Sequence, residues 1–292
     1  MRIATIEWSG TTSAAVVFES GLAPVRTLPG RESAVDALSV IATPLTSDEL
    51  VALERGESVP RASATLHAPI PHPPKNVLCV GKNYREHVAE GARAEGRTDF
   101  SVPERPVWFT KPASALVGDG GNIIQDPEFT KALDYEGELA IVIGRGGKSI
   151  PADAVFDHIF GYTIVNDVTA RDVQQAHLQW FRGKSADSYA PCGPWIVTTD
   201  EIKEPEALDL TTRVNGEIRQ HDNTRNLLFG IATLVSNISQ GLTLQPGDII
   251  ATGTPSGVAW GMDAPRYLTA GDVVEVEVEG IGTLTNTVVP VP

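Results

Sequence analysis

The sequence is short of cysteine, of basic residues and of long apolar runs, and each shortage removes a class of function. Its two cysteines, Cys79 and Cys192, lie far apart with no CxxC. That excludes a disulfide framework and a thiolate zinc site, and it suits a reducing compartment. Lys and Arg number 23 against 37 Asp and Glu, a formal net charge of −14. Such a field repels phosphate backbones and anionic lipid, so neither nucleic acid nor a membrane surface is expected as a partner. No apolar stretch nears the ~20 residues that cross a bilayer, and the opening MRIATIEWSG lacks the basic and apolar regions of a secretory signal. A soluble, cytoplasmic protein is expected.

What is present is a chain of 292 residues with 41% hydrophobic content, ample for the core of one large domain or two smaller ones. Residues 1–72 mix short β-like pieces, Arg2 to Trp8 and Ala14 to Phe18, with helix-like segments at Glu32 to Val40 and Asp48 to Arg55. They end in the proline-rich APIPHPPKN, which resists helix and reads as a link between a small N-terminal α+β domain, 1–72, and a main domain, 73–292. The main domain is a series of short β-branched runs punctuated by Gly, Pro and Asp, the pattern of a β-rich α+β fold. Near its end Glu275, Glu277 and Glu279 alternate with valines, as on a strand with one solvated face. Two GK[ST] sequences, at Gly147 and Gly183, imitate a phosphate loop, but the required glycine five places earlier is replaced by Val142 and Leu178.

The stretch DYEGELAIVIG sets acids Asp134, Glu136 and Glu138 at every second position before an apolar run fit for a sheet interior. On one strand they would share a face, and two carboxylates ~6 Å apart at an effective dielectric near 20 repel by roughly 3 kcal/mol. Either they stand on an exposed edge, screened by water, or a hard cation such as Mg²⁺, Mn²⁺ or Ca²⁺ neutralises them. Asp167 ends the apolar strand of GYTIVNDVTARDVQ, where it can serve a cleft or simply cap the helix that follows. In GKNYREHVAEG, His87 and Glu90 stand three apart, so a helix would bring them together as a base and its orienting carboxylate, or as an idle surface pair. Polar residues 92–105 next to them read as a mobile lid.

Taken in order, GKNYREHVAEG, FTKPASALVGDGG, DYEGELAIVIG, GYTIVNDVTARDVQ, FRGKSADSYAPCGPW and GDIIATGTPSGV resemble the fumarylacetoacetate hydrolase family over roughly Asn76 to Val289. The resemblance implies a roll of mixed β-sheets, usually in a homodimer, with one Mg²⁺ or Mn²⁺, sometimes Ca²⁺, held by Glu136, Glu138 and Asp167. It also implies a catalytic dyad at His87 and Glu90, with Lys184 in a catalytic role and substrate contacts at Arg171, Gln174, Thr254 and Tyr84. Asp134 falls outside the implied ligand set. Family members that cleave fumarylacetoacetate carry a further aspartate seven residues before the histidine, and here that place holds Val80. The chain therefore resembles the smaller members, which act on acylpyruvates, oxaloacetate or related 2-oxo diacids. The implied reaction is metal-dependent hydrolysis of a C–C bond in an acylpyruvate, releasing pyruvate. Oxaloacetate-type decarboxylation or isomerisation of a hydroxyheptadienedioate is the alternative on the same site, and a non-catalytic binder of metal and oxoacid is the alternative of another class.

Overall fold

The computed structural model describes residues 1–292. Its largest sheet runs, side by side, through strands Gly21–Pro24, Thr11–Phe18, Arg2–Trp8, Ala190–Thr198, Ile159–Asn166, Gly137–Ile143, Ile249–Ala251, Val77–Gly81 and Val107–Lys111. A second sheet orders strands Glu217–Asn223, Asp209–Val214, Val273–Val278, Gly282–Pro290 and Asn122–Gln125. The result is a β-rich α+β fold in which the two sheets enclose the larger hydrophobic cluster, with Leu139 and Ile141 meeting Leu210, Val276 and Leu284. No helix is long and apolar enough to cross a membrane.

Strand Gly137–Ile143 is buried along its whole length, which explains its unbroken apolar run. Leu139, Ile141 and Ile143 belong to the cluster between the sheets, whereas Ala140 and Val142 belong to a second cluster on the opposite face. That second cluster includes Ala37, Val40 and Ile41 of helix Ala37–Ala42 and Leu53 of helix Ser47–Arg55. The N-terminal residues thus cover one face of the main sheet. They also extend it: Arg2 and Ile3 pair with Val197 and Ile196.

The proline-rich stretch between them is fastened down. Ile70 is buried, and the Pro69 carbonyl accepts hydrogen bonds from Thr5 Oγ1 at 2.6 Å and Ala37 N–H at 3.2 Å. The second N-terminal helix begins at Ser47 because Thr46 and Glu49 form a capping box. The first starts at Ala37, later than the sequence suggests, because the Asp36 side chain caps it through Ser39 N–H. In the second sheet Val274, Val276 and Val278 are buried while Glu277 is exposed against Arg213, as alternation requires.

Candidate active site

At the start of strand Gly137–Ile143 the chain leaves regular pairing. Leu133–Asp134 pairs with Thr169–Ala170 in a separate two-stranded ladder, and Tyr135–Glu136 lies between the two strands. The three acids therefore do not share one continuous strand face. Asp134 accepts from Ala259 N–H at 2.9 Å, Trp260 N–H at 3.0 Å and Arg171 Nε at 2.8 Å, which makes it an anchor for the neighbouring loop. Glu136, Glu138 and Asp167 do converge: one carboxylate oxygen from each lies within 4.8 Å of the others, and all three side chains are buried. An exposed edge is thereby ruled out, and so is an N-cap role for Asp167, since Ala170 occupies that position before helix Arg171–Ala176.

The convergence is held by cations from elsewhere in the chain. Lys184 Nζ bridges Glu136 Oε2 at 2.8 Å and Asp167 Oδ2 at 2.7 Å. Lys111 Nζ, fully buried at the end of strand Val107–Lys111, donates to Asp167 Oδ1 at 2.5 Å and to the Val168 carbonyl at 3.0 Å. Arg171 Nη2 stands 2.6 Å from Glu136 Oε1. Four buried acids thus face three buried cations, and Glu138 is the one left without an ion pair, with Gly253 N–H donating to it at 2.8 Å. Burial, followed by the charges of Asp167 and Glu136, pushes the Glu138 carboxyl well above the ordinary carboxylate range. Burial acts the same way on Glu136, but Lys184 and Arg171 overcome it and hold that carboxyl below the usual range. Three oxygen ligands, one of them an uncompensated buried carboxylate, fit a hard divalent cation, whose charge is what the site lacks.

His87 and Glu90 face each other on helix Arg85–Ala94, with Nδ1 to Oε2 at 3.2 Å. Glu90 is buried and its Oε1 accepts from Gly257 N–H at 2.9 Å, so it is fixed rather than idle. Gly261 makes room for it, since a Cβ there would stand 2.1 Å from Glu90 Cγ. With Nδ1 turned to Glu90, the His87 ring leaves Nε2 for the cavity, a space of about 500 Å³ lined also by Glu136, Glu138, Arg171, Gln174, Lys184 and Thr254.

Of the substrate contacts expected from sequence, Arg171, Gln174 and Thr254 therefore reach the cavity, together with Val80. Tyr84 does not line it: it is 1% exposed, with its hydroxyl unbonded. Thr254 Oγ1 is engaged, donating to the Gly137 carbonyl and accepting from Gln220 Nε2. Residues 95–105 form neither helix nor strand and are mostly exposed, with Glu95 on the cavity wall.

Four contributors escaped sequence reading. Lys111 lies in the FTKP motif, where a lysine ahead of proline was the available signal. Trp180 and Trp260 form much of the apolar wall. Gln220, on the second sheet, donates to Thr254 and Pro255 and accepts from Gly137 N–H, and nothing in EIRQHDN marks it.

Residues 76–289 match the family described as fumarylacetoacetate (FAA) hydrolase C-terminal. Oxaloacetate tautomerase YisK of Bacillus subtilis (strain 168) is 50% identical over 222 residues, 76% of this chain and 72% of that protein. The solved fumarylacetoacetate hydrolase (EaFAH) from psychrophilic Exiguobacterium antarcticum is similar with a TM-score of 0.86 and 40% identity, over 100% of both chains. A maleylpyruvate hydrolase from Sphingobium sp. SYK-6, solved with manganese(II) ion and pyruvate, has a TM-score of 0.80 and 29% identity over 100% of both chains.

Proposed function

This chain belongs to the fumarylacetoacetate hydrolase family, and we propose that it is a divalent-metal-dependent enzyme that moves a proton between the keto and enol forms of oxaloacetate or a close 2-oxo diacid. The observation that carries the substrate class is the 50% identity with an oxaloacetate tautomerase. Acylpyruvate hydrolysis, which the motifs put first, becomes the second reading, supported by the likeness to the maleylpyruvate hydrolase.

Glu136, Glu138 and Asp167 would hold a divalent cation, Mg²⁺ or Mn²⁺ by the hardness of the donors, which would supply Lewis acidity toward the 2-oxo acid. His87 Nε2 takes a proton from C3 of the keto form. The C–H electron pair becomes the C2–C3 double bond, the C=O π pair moves onto the 2-oxo oxygen, and the protonated His87 returns its proton to that oxygen, completing the enol and restoring the neutral ring. Glu90 keeps the ring in one tautomer and stabilises its protonated state. Arg171 and Lys184, on the cavity wall, offset the negative charge that develops on oxygen. Proton transfer asks nothing further of the site, whereas hydrolysis also needs a water placed at the distal carbonyl. The homodimer that the family resemblance implies is checked by light scattering.

The test follows the ultraviolet absorbance of enol-oxaloacetate with Mg²⁺-loaded protein, with pyruvate measured in parallel by lactate dehydrogenase. Enol decay should accelerate without pyruvate release, and His87→Ala should slow it by the ~10²–10⁴-fold of a lost general base. Pyruvate appearing in step with the absorbance loss would overturn the tautomerase reading. Pyruvate release from an acylpyruvate would instead establish the second.

A further inference from the structure

A 2-oxo diacid has two anionic ends, and the metal triad accounts for only one of them. The other must be received inside a chain of net charge −14, on a cavity wall that already carries Glu136 and Glu138. Glu95 is on that wall too, paired with Arg97. Of the wall's cations, Lys184, paired with Glu136 and Asp167, and Arg171, paired with Asp134 and Glu136, stand at the acid triad and so serve the 2-oxo end of the substrate. His177 directs Nδ1 at the Val173 carbonyl, 2.8 Å away. Lys82 alone among the lysines and arginines of the wall has neither an ion pair nor a hydrogen bond.

The chain is built to hold Lys82 where it is. Its backbone sits at φ 58°, a left-handed conformation that a residue with a side chain keeps only when its surroundings dictate it. Those surroundings are explicit. On one side Gly81 lets Trp180 close in, since a Cβ at Gly81 would stand 2.3 Å from the indole. On the other side the fully buried Asn83 is locked by its side chain to the Thr252 carbonyl at 2.8 Å, the Phe229 carbonyl at 3.1 Å and Phe229 N–H at 2.8 Å. The Lys82 ammonium lies 5.8 Å from the Trp180 ring centroid, so the indole face supports the charge without neutralising it.

We propose that Lys82 is a specificity residue that binds the distal carboxylate of the substrate, so that the site selects 2-oxo dicarboxylates over 2-oxo monocarboxylates. The inference rests on the 2-oxo diacid reading above and refines it. An ammonium carried by a fixed stretch of backbone on the cavity wall suits a carboxylate whose distance from the 2-oxo group varies little, as in four-carbon diacids.

The test measures dissociation constants by thermal shift on Mg²⁺-loaded protein for oxaloacetate and for 2-oxobutyrate, which has the same carbon count but no distal carboxylate. The parent should prefer oxaloacetate. Lys82→Met, which keeps the length of the stem, should weaken oxaloacetate by roughly 10- to 100-fold, the loss expected for a charge-assisted hydrogen bond, and 2-oxobutyrate by less than about twofold. Lys82→Arg should keep most of the preference, and ligand-free melting should confirm that both variants fold. Equal loss for the two ligands would place Lys82 at the metal end, and no loss would place the distal carboxylate elsewhere; either result overturns the inference, as does a parent without preference. Because binding is read without turnover, a preference that depends on Lys82 in a protein that fails to accelerate enol decay would sink the tautomerase reading and leave this one standing.

Discussion

Replacing Glu138 by glutamine should reverse the usual sign of a metal-ligand mutation when the protein is metal-free. In the structure Glu138 is 1% exposed, unpaired, and within 4.8 Å of carboxylate oxygens of both Glu136 and Asp167. At an effective dielectric of 20, each such pair repels by about 3.5 kcal/mol if both members are charged. The upward shift of its carboxyl lets Glu138 escape part of that cost, so the amide should gain only about 1 to 3 kcal/mol over the parent in EDTA. For a chain of this size that is roughly 2 to 6 °C in Tm. Saturating Mg²⁺ should then lift the parent by about 4.1 kcal/mol at roughly a thousandfold excess over Kd, or roughly 7 °C, and leave Glu138→Gln where it was. Differential scanning fluorimetry with and without Mg²⁺ therefore should show the order of stability inverting. A variant that melts below the parent in EDTA, or that still responds fully to Mg²⁺, would refute the picture of a surplus carboxylate awaiting a cation.

Two other substitutions probe how the site is held. Lys111→Met removes a fully buried ammonium from Asp167 and from the Val168 carbonyl, and breaking such a pair typically costs about 3–5 kcal/mol. The low end applies because Asp167 keeps Lys184, so urea denaturation in EDTA should show a loss near 3 kcal/mol; less than about 1 kcal/mol would mean that the pair contributes little. Gly261→Ala drives a methyl group into Glu90 and should lower turnover by roughly 10- to 100-fold through a misplaced His87, while the Mg²⁺-induced Tm shift survives. A variant with parental turnover would show that the exact position of Glu90 does not matter to the base.

Sequence brought Glu136 together with Glu138, and His87 with Glu90, because each pair is local. Glu136 and Glu138 are two apart, His87 and Glu90 one helical turn apart, and their contexts are short motifs. What it could not carry is the charge balance. Alternation placed Asp134 beside the other acids, but the chain breaks its pairing at Tyr135–Glu136, and Asp134 turns to Arg171 and the backbone at Ala259 and Trp260. The separate fates of Asp134 and Glu138 depend on cations 37 and 46 residues away, Arg171 and Lys184, and on Lys111, whose partner Asp167 lies 56 residues on. Tyr84 shows the opposite case. It sits in a motif rich in site residues, yet its side chain turns inward, because Asn83 and the left-handed Lys82 set the path of the chain just before it.

The same distinction governs the fold. Short β-branched runs announced the strands, and the buried run after Glu138 announced a strand covered on both faces. The cover itself was not legible. Residues 1–72 read as a unit apart because their elements are short and a proline-rich stretch follows them. In the structure they supply Ala37, Val40, Ile41 and Leu53 to the cluster around Ala140 and Val142 and pair directly with strand Ala190–Thr198. Ala140 and Val142 stand on the strand that opens with Glu138, and alternation puts all three side chains on one face. Stripping the N-terminal helices from that face would expose apolar surface on the very strand that carries Glu138. The N-terminal region therefore packs against the strand that carries Glu138, although none of its residues lines the cavity.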